Sequence, residues 1–215
     1  LCLRGPKGAF VNSMAVHYRT EGIVLATLNR GEADRSFTIY TKDFGKLELW
    51  ATSERKITSK LRGGLEKLCW SEVEFIVGKN KKTLTDASLK ERYHTIRNDL
   101  QRLRVAIRIG ETLDATTSKE EQDKTAWLLL LDSFSCLENP QFHANSSKLL
   151  YYYFFWNLLS HLGWRPDLTS YPCELREILQ SFLAKNTSVL YTLHIEKDTM
   201  KALHEASRSH YLSVI

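Results

Sequence analysis

Four cations fall within eight positions in the segment Arg55-Lys56-Ile57-Thr58-Ser59-Lys60-Leu61-Arg62, which is followed by Gly63 and Gly64. Lys and Arg spaced this way, with small polar residues between them, can follow a phosphodiester backbone without fixed geometry. A second run, Gly78-Lys79-Asn80-Lys81-Lys82, and a third pair, Arg30 and Arg35 around Gly31-Glu32-Ala33-Asp34, extend the cationic set. Lys46 and Trp50 precede the first loop, and an indole there could stack on a base. The chemistry expected from these residues is non-covalent binding of a polyanion. Each has a plainer alternative: a solvated loop for Arg55 to Arg62, a solubilising hairpin tip for Lys79, Lys81 and Lys82, and a local ion pair of Arg35 with Asp34 or Glu32.

A second set, Arg97, Arg102, Arg104 and Arg108, sits beside an apolar stripe of Ile and Leu. An apolar groove edged by arginine suits an acidic, hydrophobic-ended peptide; a solvated arginine face is the plainer alternative. Nothing points to catalysis. Glu111 and Asp114 are an isolated carboxylate pair, the seven histidines have no metal-binding spacing, and no G-x-S-x-G, phosphate-binding or dinucleotide fingerprint occurs.

Strands must position the first set. Period-2 alternation predicts five, over Tyr18 to Leu28, Ser36 to Thr41, Lys46 to Thr52, Trp70 to Val77 and Leu84 to Tyr93. Five short strands suit a small barrel, OB-like or SH3-like, with Lys60 to Lys67 as a short plugging helix. From Thr95 the period becomes helical, with Ile96, Leu100, Leu103, Ile107 and Leu113 on one stripe. Ser118 and Glu121 make a capping-box pattern for a second helix ending near Leu137. A third runs from about Ser146 to Leu162 and ends at Gly163. Helices at Cys173 to Ala184 and Lys197 to about Tyr211 flank an extended piece, Val189 to Ile195. The fold class is therefore α+β, with a β-barrel over 18–93 and a helical domain over 94–215. Residues 1–17 read as a leader, disordered or foreign to the native chain, with Met14 as a plausible native start.

Phe37, Tyr40 and Phe44 read mainly as barrel core. The run Tyr151-Tyr152-Tyr153-Phe154-Phe155-Trp156 covers every direction of a helix, which predicts helix packing plus contact with the barrel in preference to a base-stacking surface.

The 215 residues carry a net charge of +5, and the cationic excess lies in 17–94 rather than in 95–215. That distribution again assigns polyanion binding to the barrel. The chain holds no apolar run long enough to span a bilayer and no secretory signal, so a soluble protein is expected, with no membrane partner. Cys2, Cys69, Cys136 and Cys173 are scattered with no C-x-x-C pair. Neither disulfides nor zinc is signalled, and a reducing cytoplasm fits.

Several pieces together resemble RecO, the bacterial recombination mediator family: Thr20-Glu21-Gly22-Ile23-Val24-Leu25, Gly31 to Thr41, Phe44-Gly45-Lys46-Leu47-Glu48-Leu49, Lys60-Leu61-Arg62-Gly63, Thr83 to Ala87, Ile96 to Leu103, and Leu162 to Leu168. The resemblance implies an N-terminal OB-fold, so it selects OB over SH3. It implies a protein that binds single- and double-stranded DNA, anneals complementary strands, and helps a RecR partner load RecA onto strands coated by single-stranded DNA-binding protein (SSB). It also implies that the acidic SSB C-terminal tail docks on the helical domain, for which Arg97, Arg102, Arg104 and Arg108 are the candidate contacts. Cytoplasmic, nucleoid-associated placement follows. Relatives continue past Pro166-Asp167-Leu168 with a cysteine-rich zinc module; only Cys173 stands there, so no metal and no cofactor are expected. A protein-binding adaptor and an RNA-binding OB protein are the competing functions.

Overall fold

The computed structural model describes residues 16–52, 64–142, 144–193 and 195–214. Five strands come first: β1 (His17–Arg30), β2 (Asp34–Thr41), β3 (Gly45–Ala51), β4 (Trp70–Val77) and β5 (Lys82–Glu91). They close as a barrel in the order β1-β2-β3-β5-β4. All pairings are antiparallel except the short one between β3 and β5, where Leu49 and Trp50 meet Lys82 and Thr83. This closed five-stranded arrangement is the OB-fold.

The long β1 serves two neighbours, pairing with β4 through its first half and β2 through its second. At Gly22, where both pairings overlap, a Cβ would lie 2.5 Å from Ile39 Cγ2, so no larger residue fits without movement. The shift in register between Val24 and Ala26 adds the local twist that closure needs. Strand alternation sends Phe37, Ile39, Leu47, Leu49, Val73, Phe75 and Leu84 into the barrel, all buried. Each such side chain contributes about 1.5–3 kcal/mol relative to exposure. Leu65 joins them from the segment before β4. Residues 64–67 form no helix, so the expected plugging helix is corrected over that part, and 60–63 lie outside the described residues.

The helical region comprises α1 (His94–Asn98), α2 (Leu100–Thr116), α3 (Lys124–Glu138), α4 (Ala144–His161), α5 (Cys173–Leu183), α6 (Val189–Thr192) and α7 (Lys197–Val214). The single apolar stripe from Ile96 is split between two helices. Extended Asp99 interrupts them, and its carboxylate accepts from the backbone N–H groups of Gln101 and Arg102. The α3 start also differs from the Ser118/Glu121 expectation: Asp123 caps it through Ala126 N, while Lys119, Glu120 and Gln122 ahead of it bond to the barrel. Val189–Thr192 is a helical turn rather than an extended piece.

Helix α4 is apolar all round and packs against α2, α3, α5, α6 and α7. Its six consecutive aromatics, Tyr151 to Trp156, are all buried. The barrel contact expected of them is made chiefly by α2, which meets β1. Ile23, Leu25, Tyr40 and Leu68 from the outside of the barrel join the helical core. Among the described residues no helix is long and apolar enough to cross a membrane.

Candidate nucleic-acid interface

On β3 the outward residues are Lys46, Glu48 and Trp50, and their surroundings change along the strand. Lys46 is buried, 8% exposed, under the helical region. Its ammonium donates to the Asp114 carbonyl at 2.5 Å and meets the Asp114 carboxylate at 3.1 Å. Its own carbonyl accepts from Glu120 N at 2.9 Å. Lys46 therefore ties two layers together, which corrects the expectation that it touches nucleic acid. Gly45, at φ 62°, permits the same contact: a Cβ there would overlap the Glu121 carbonyl.

Trp50, toward the other end of β3, is half-buried. It pairs with Ser36 on β2 and Thr83 on β5. The Arg30 guanidinium lies 5.4 Å and the Lys81 ammonium 4.6 Å from the indole ring centre. Arg30 is held by its Nε donating to Ser36 Oγ at 3.1 Å, and the indole N–H points at Asp34 Oδ2, 3.4 Å away. The β1–β2 turn thus supplies Arg30, the β4–β5 turn supplies Lys81, and β3 supplies an aromatic between them. These are the strand and loop positions with which OB-folds bind oligonucleotides. Two cations over an indole also match the pairing of phosphate contact with base stacking.

The remaining barrel candidates separate. Arg35 Nε donates to Asn29 Oδ1 at 2.9 Å on the same hairpin. Lys79 is exposed beside Lys81 on the β4–β5 turn, which Gly78 N closes onto the Lys81 carbonyl. Lys82 is ion-paired with Glu120 at 2.5 Å. Arg55, Lys56, Lys60 and Arg62 lie outside the described residues.

The structure scatters the four helical arginines. Arg102 is 6% exposed, and its guanidinium donates to the carbonyls of Leu137, Asn139, Pro140 and Phe142. It therefore caps the C-terminus of α3 and is not available to a partner. Arg97 donates to the carbonyls of Arg92 and Lys67 and to Cys69 Sγ, stitching α1 to the segment before β4. The expectation of partner contact is corrected for Arg102 by its burial; Arg97 is held by internal bonds with its side chain 29% exposed. Arg104 is exposed on α2. Arg108 alone lines a groove, of about 380 Å³, between α2, α4 and α7. Its guanidinium carbon lies 3.8 Å from the centre of the Tyr151 ring.

Tyr152, Phe155 and Tyr211 add apolar wall to the groove, and Arg208 on α7 adds a second cation. The Tyr152 hydroxyl is 3.1 Å from His204 Nδ1, and burial pushes its pKa above the usual tyrosine value. Sequence reasoning missed Arg208, whose distance from Arg108 along the chain gives no pairing signal. Among the described residues no group of three or more His, Cys, Asp and Glu side chains could hold a metal ion.

Comparison with known proteins agrees with this geometry. Family models described as "Recombination protein O N terminal" and "Recombination protein O C terminal" match residues 14–93 and 97–212. The DNA repair protein RecO of Dehalococcoides mccartyi strain BAV1 is 34% identical over 151 residues, 70% of this chain and 58% of the relative. That of Desulforamulus reducens is 30% identical over 176 residues, 80% of this chain and 67% of the relative. That of Acetivibrio thermocellus is 31% identical over 154 residues, 72% of this chain and 60% of the relative. The chain thus spans about three fifths of the length of several relatives it matches. With an OB barrel followed by a helical region, and both halves matched in order, the chain belongs to the recombination protein O family.

Proposed function

We propose that this chain is a DNA-binding recombination mediator. It binds single- and double-stranded DNA, anneals complementary strands, and assists a RecR partner in loading RecA onto SSB-coated single strands. The observation that carries this reading is the cluster of Arg30, Trp50 and Lys81 on the OB face, in a chain of this family. The mechanism needs no covalent step. Cations neutralise the phosphates of two strands, stacking on Trp50 orients bases, and base pairing drives the product forward. The α2–α4–α7 groove fits the second partner: an apolar wall edged by Arg108 and Arg208 suits the acidic, hydrophobic-ended SSB tail.

Salt dependence tests the reading. If about four phosphates are neutralised, log K for single strands falls with log salt at a slope near −3. Alanine at Arg55, Lys56, Lys60 and Arg62 should remove most of that slope, and alanine at Arg30, Trp50 and Lys81 should weaken binding further. A slope near zero in the unsubstituted protein would favour the protein-binding adaptor. Equal or stronger binding of a matched RNA strand would favour the RNA-binding alternative.

A further inference from the structure

Between buried Lys46 and half-buried Trp50, β3 presents Glu48 to a second groove, also of about 380 Å³. Arg30, Ser36 and Thr38 from β1 and β2 line one side, and Lys119 from the α2–α3 connection lines the other. The Glu48 carboxylate bridges the two cations. One oxygen lies 3.3 Å from Arg30 Nη2, and the other accepts from Lys119 Nζ at 3.0 Å. All three side chains keep access to solvent, from 38% for Arg30 to 66% for Lys119. Lys46 and Asp114 in the groove floor already neutralise one another. What remains is a carboxylate seated between two cations on the open face of an OB barrel, next to the aromatic rim.

We infer that Glu48 is an internal competitor for the phosphate backbone, and that a DNA strand entering this groove takes its place between Arg30 and Lys119. This inference rests on the nucleic-acid reading above. A phosphate offers the same two-oxygen acceptor geometry as the carboxylate, so it can inherit both contacts. Displacement is easy, because each ion pair is exposed and contributes little alone. Glu48 therefore sets affinity downward. Two cations that already carry an internal anion bind fewer counterions, so less salt dependence attaches to filling the groove. Weak, exchangeable binding suits a protein whose product must leave as a duplex. The inference also adds Lys119 to the DNA interface, although it lies on the helical side of the barrel.

The test is fluorescence anisotropy of a labelled polythymidine strand across a salt series, with the full chain and its variants. Glu48→Gln should bind about fivefold tighter, the effect of one exposed ion pair. Its salt slope should steepen by about 0.7, the increment for one further charge on a single strand. Lys119→Ala should weaken binding, and in an Arg30→Ala/Lys119→Ala background the Glu48→Gln gain should vanish. Glu205→Gln on α7 makes the same charge change away from the barrel and should leave affinity unchanged.

If the unsubstituted protein binds but Glu48→Gln matches it in affinity and slope, the competitor role is wrong while the DNA reading stands. A gain that persists without Arg30 and Lys119, or that Glu205→Gln reproduces, reduces the effect to overall charge and also overturns it. If neither the unsubstituted protein nor Glu48→Gln binds the strand, the DNA reading itself fails and the competitor role falls with it.

Discussion

Lys46 on β3 and Asp114 on α2 form an ion pair across the junction between barrel and helices, at 3.1 Å, with the lysine side chain only 10% exposed. The same ammonium donates to the Asp114 backbone carbonyl, so one side chain holds both the flank and the backbone of α2 near its C-terminal end. Basic charge at that end also complements the helix dipole.

Lys46→Ala should therefore destabilise the protein by about 1–3 kcal/mol, below the full cost of breaking a buried pair because Asp114 is partly solvated. Urea unfolding measures this. The salt slope for single-stranded DNA should stay unchanged in the same variant. A flattened slope would return Lys46 to the DNA interface.

Arg102→Ala should cost about 3 kcal/mol or more, since it leaves several carbonyls at the end of α3 without a donor. Arg102→Lys should recover only part of that loss, because an ammonium cannot match the planar fork. Equilibrium unfolding of the two variants, compared with Arg104→Ala on the exposed side of α2, measures the effect. Arg104→Ala should be neutral within about 0.5 kcal/mol.

An acidic peptide ending in hydrophobic residues should bind the α2–α4–α7 groove and lose affinity at least several-fold in Arg108→Ala and in Arg208→Ala. Arg104→Ala should bind it normally. Isothermal titration with the full chain decides this, and unaltered binding in both groove variants would place the tail elsewhere.

Alkali should unfold the protein. Burial is the main cause that holds Tyr40 and Tyr93 well above the ordinary tyrosine value of 10.0; neighbouring carboxylates, Asp123 and Glu121 for Tyr40 and Glu91 and Glu138 for Tyr93, add to it. Burial likewise pushes Tyr153 up to about 12. In the unfolded chain these phenols deprotonate near pH 10, while the folded protein keeps their protons. The unfolded state then binds fewer protons, so stability falls as pH rises above about 10. Urea midpoints measured from about pH 8 to about pH 11 should hold steady and then drop. Phe at Tyr93 should reduce the drop.

The five strands were legible because each alternates: Leu47, Leu49 and Ala51 point in while Lys46, Glu48 and Trp50 point out. What alternation cannot encode is which outward residues a second layer covers. That is why Lys46 and Trp50 looked equivalent in sequence, yet one is buried against α2 and the other lies at the rim. The α2 arginines show the same limit. Arg102 and Arg108 lie on one helix with similar neighbours, and only packing against Phe142 or Tyr151 separates a helix cap from a groove edge. The misplaced start of α3 has a comparable cause, because Glu121, expected to cap the helix, packs its backbone against Gly45.

In the proposed function, the Arg30–Trp50–Lys81 rim brings two DNA strands together. Annealing of complementary oligonucleotides carrying a donor and an acceptor, followed by energy transfer at two salt concentrations without ATP, is the decisive measurement. The unsubstituted protein should give salt-sensitive acceleration, and an Arg30→Ala/Trp50→Ala/Lys81→Ala variant that still folds should lose it. Acceleration undiminished in that variant would move the site away from the rim, and no acceleration by the unsubstituted protein would contradict the mediator function.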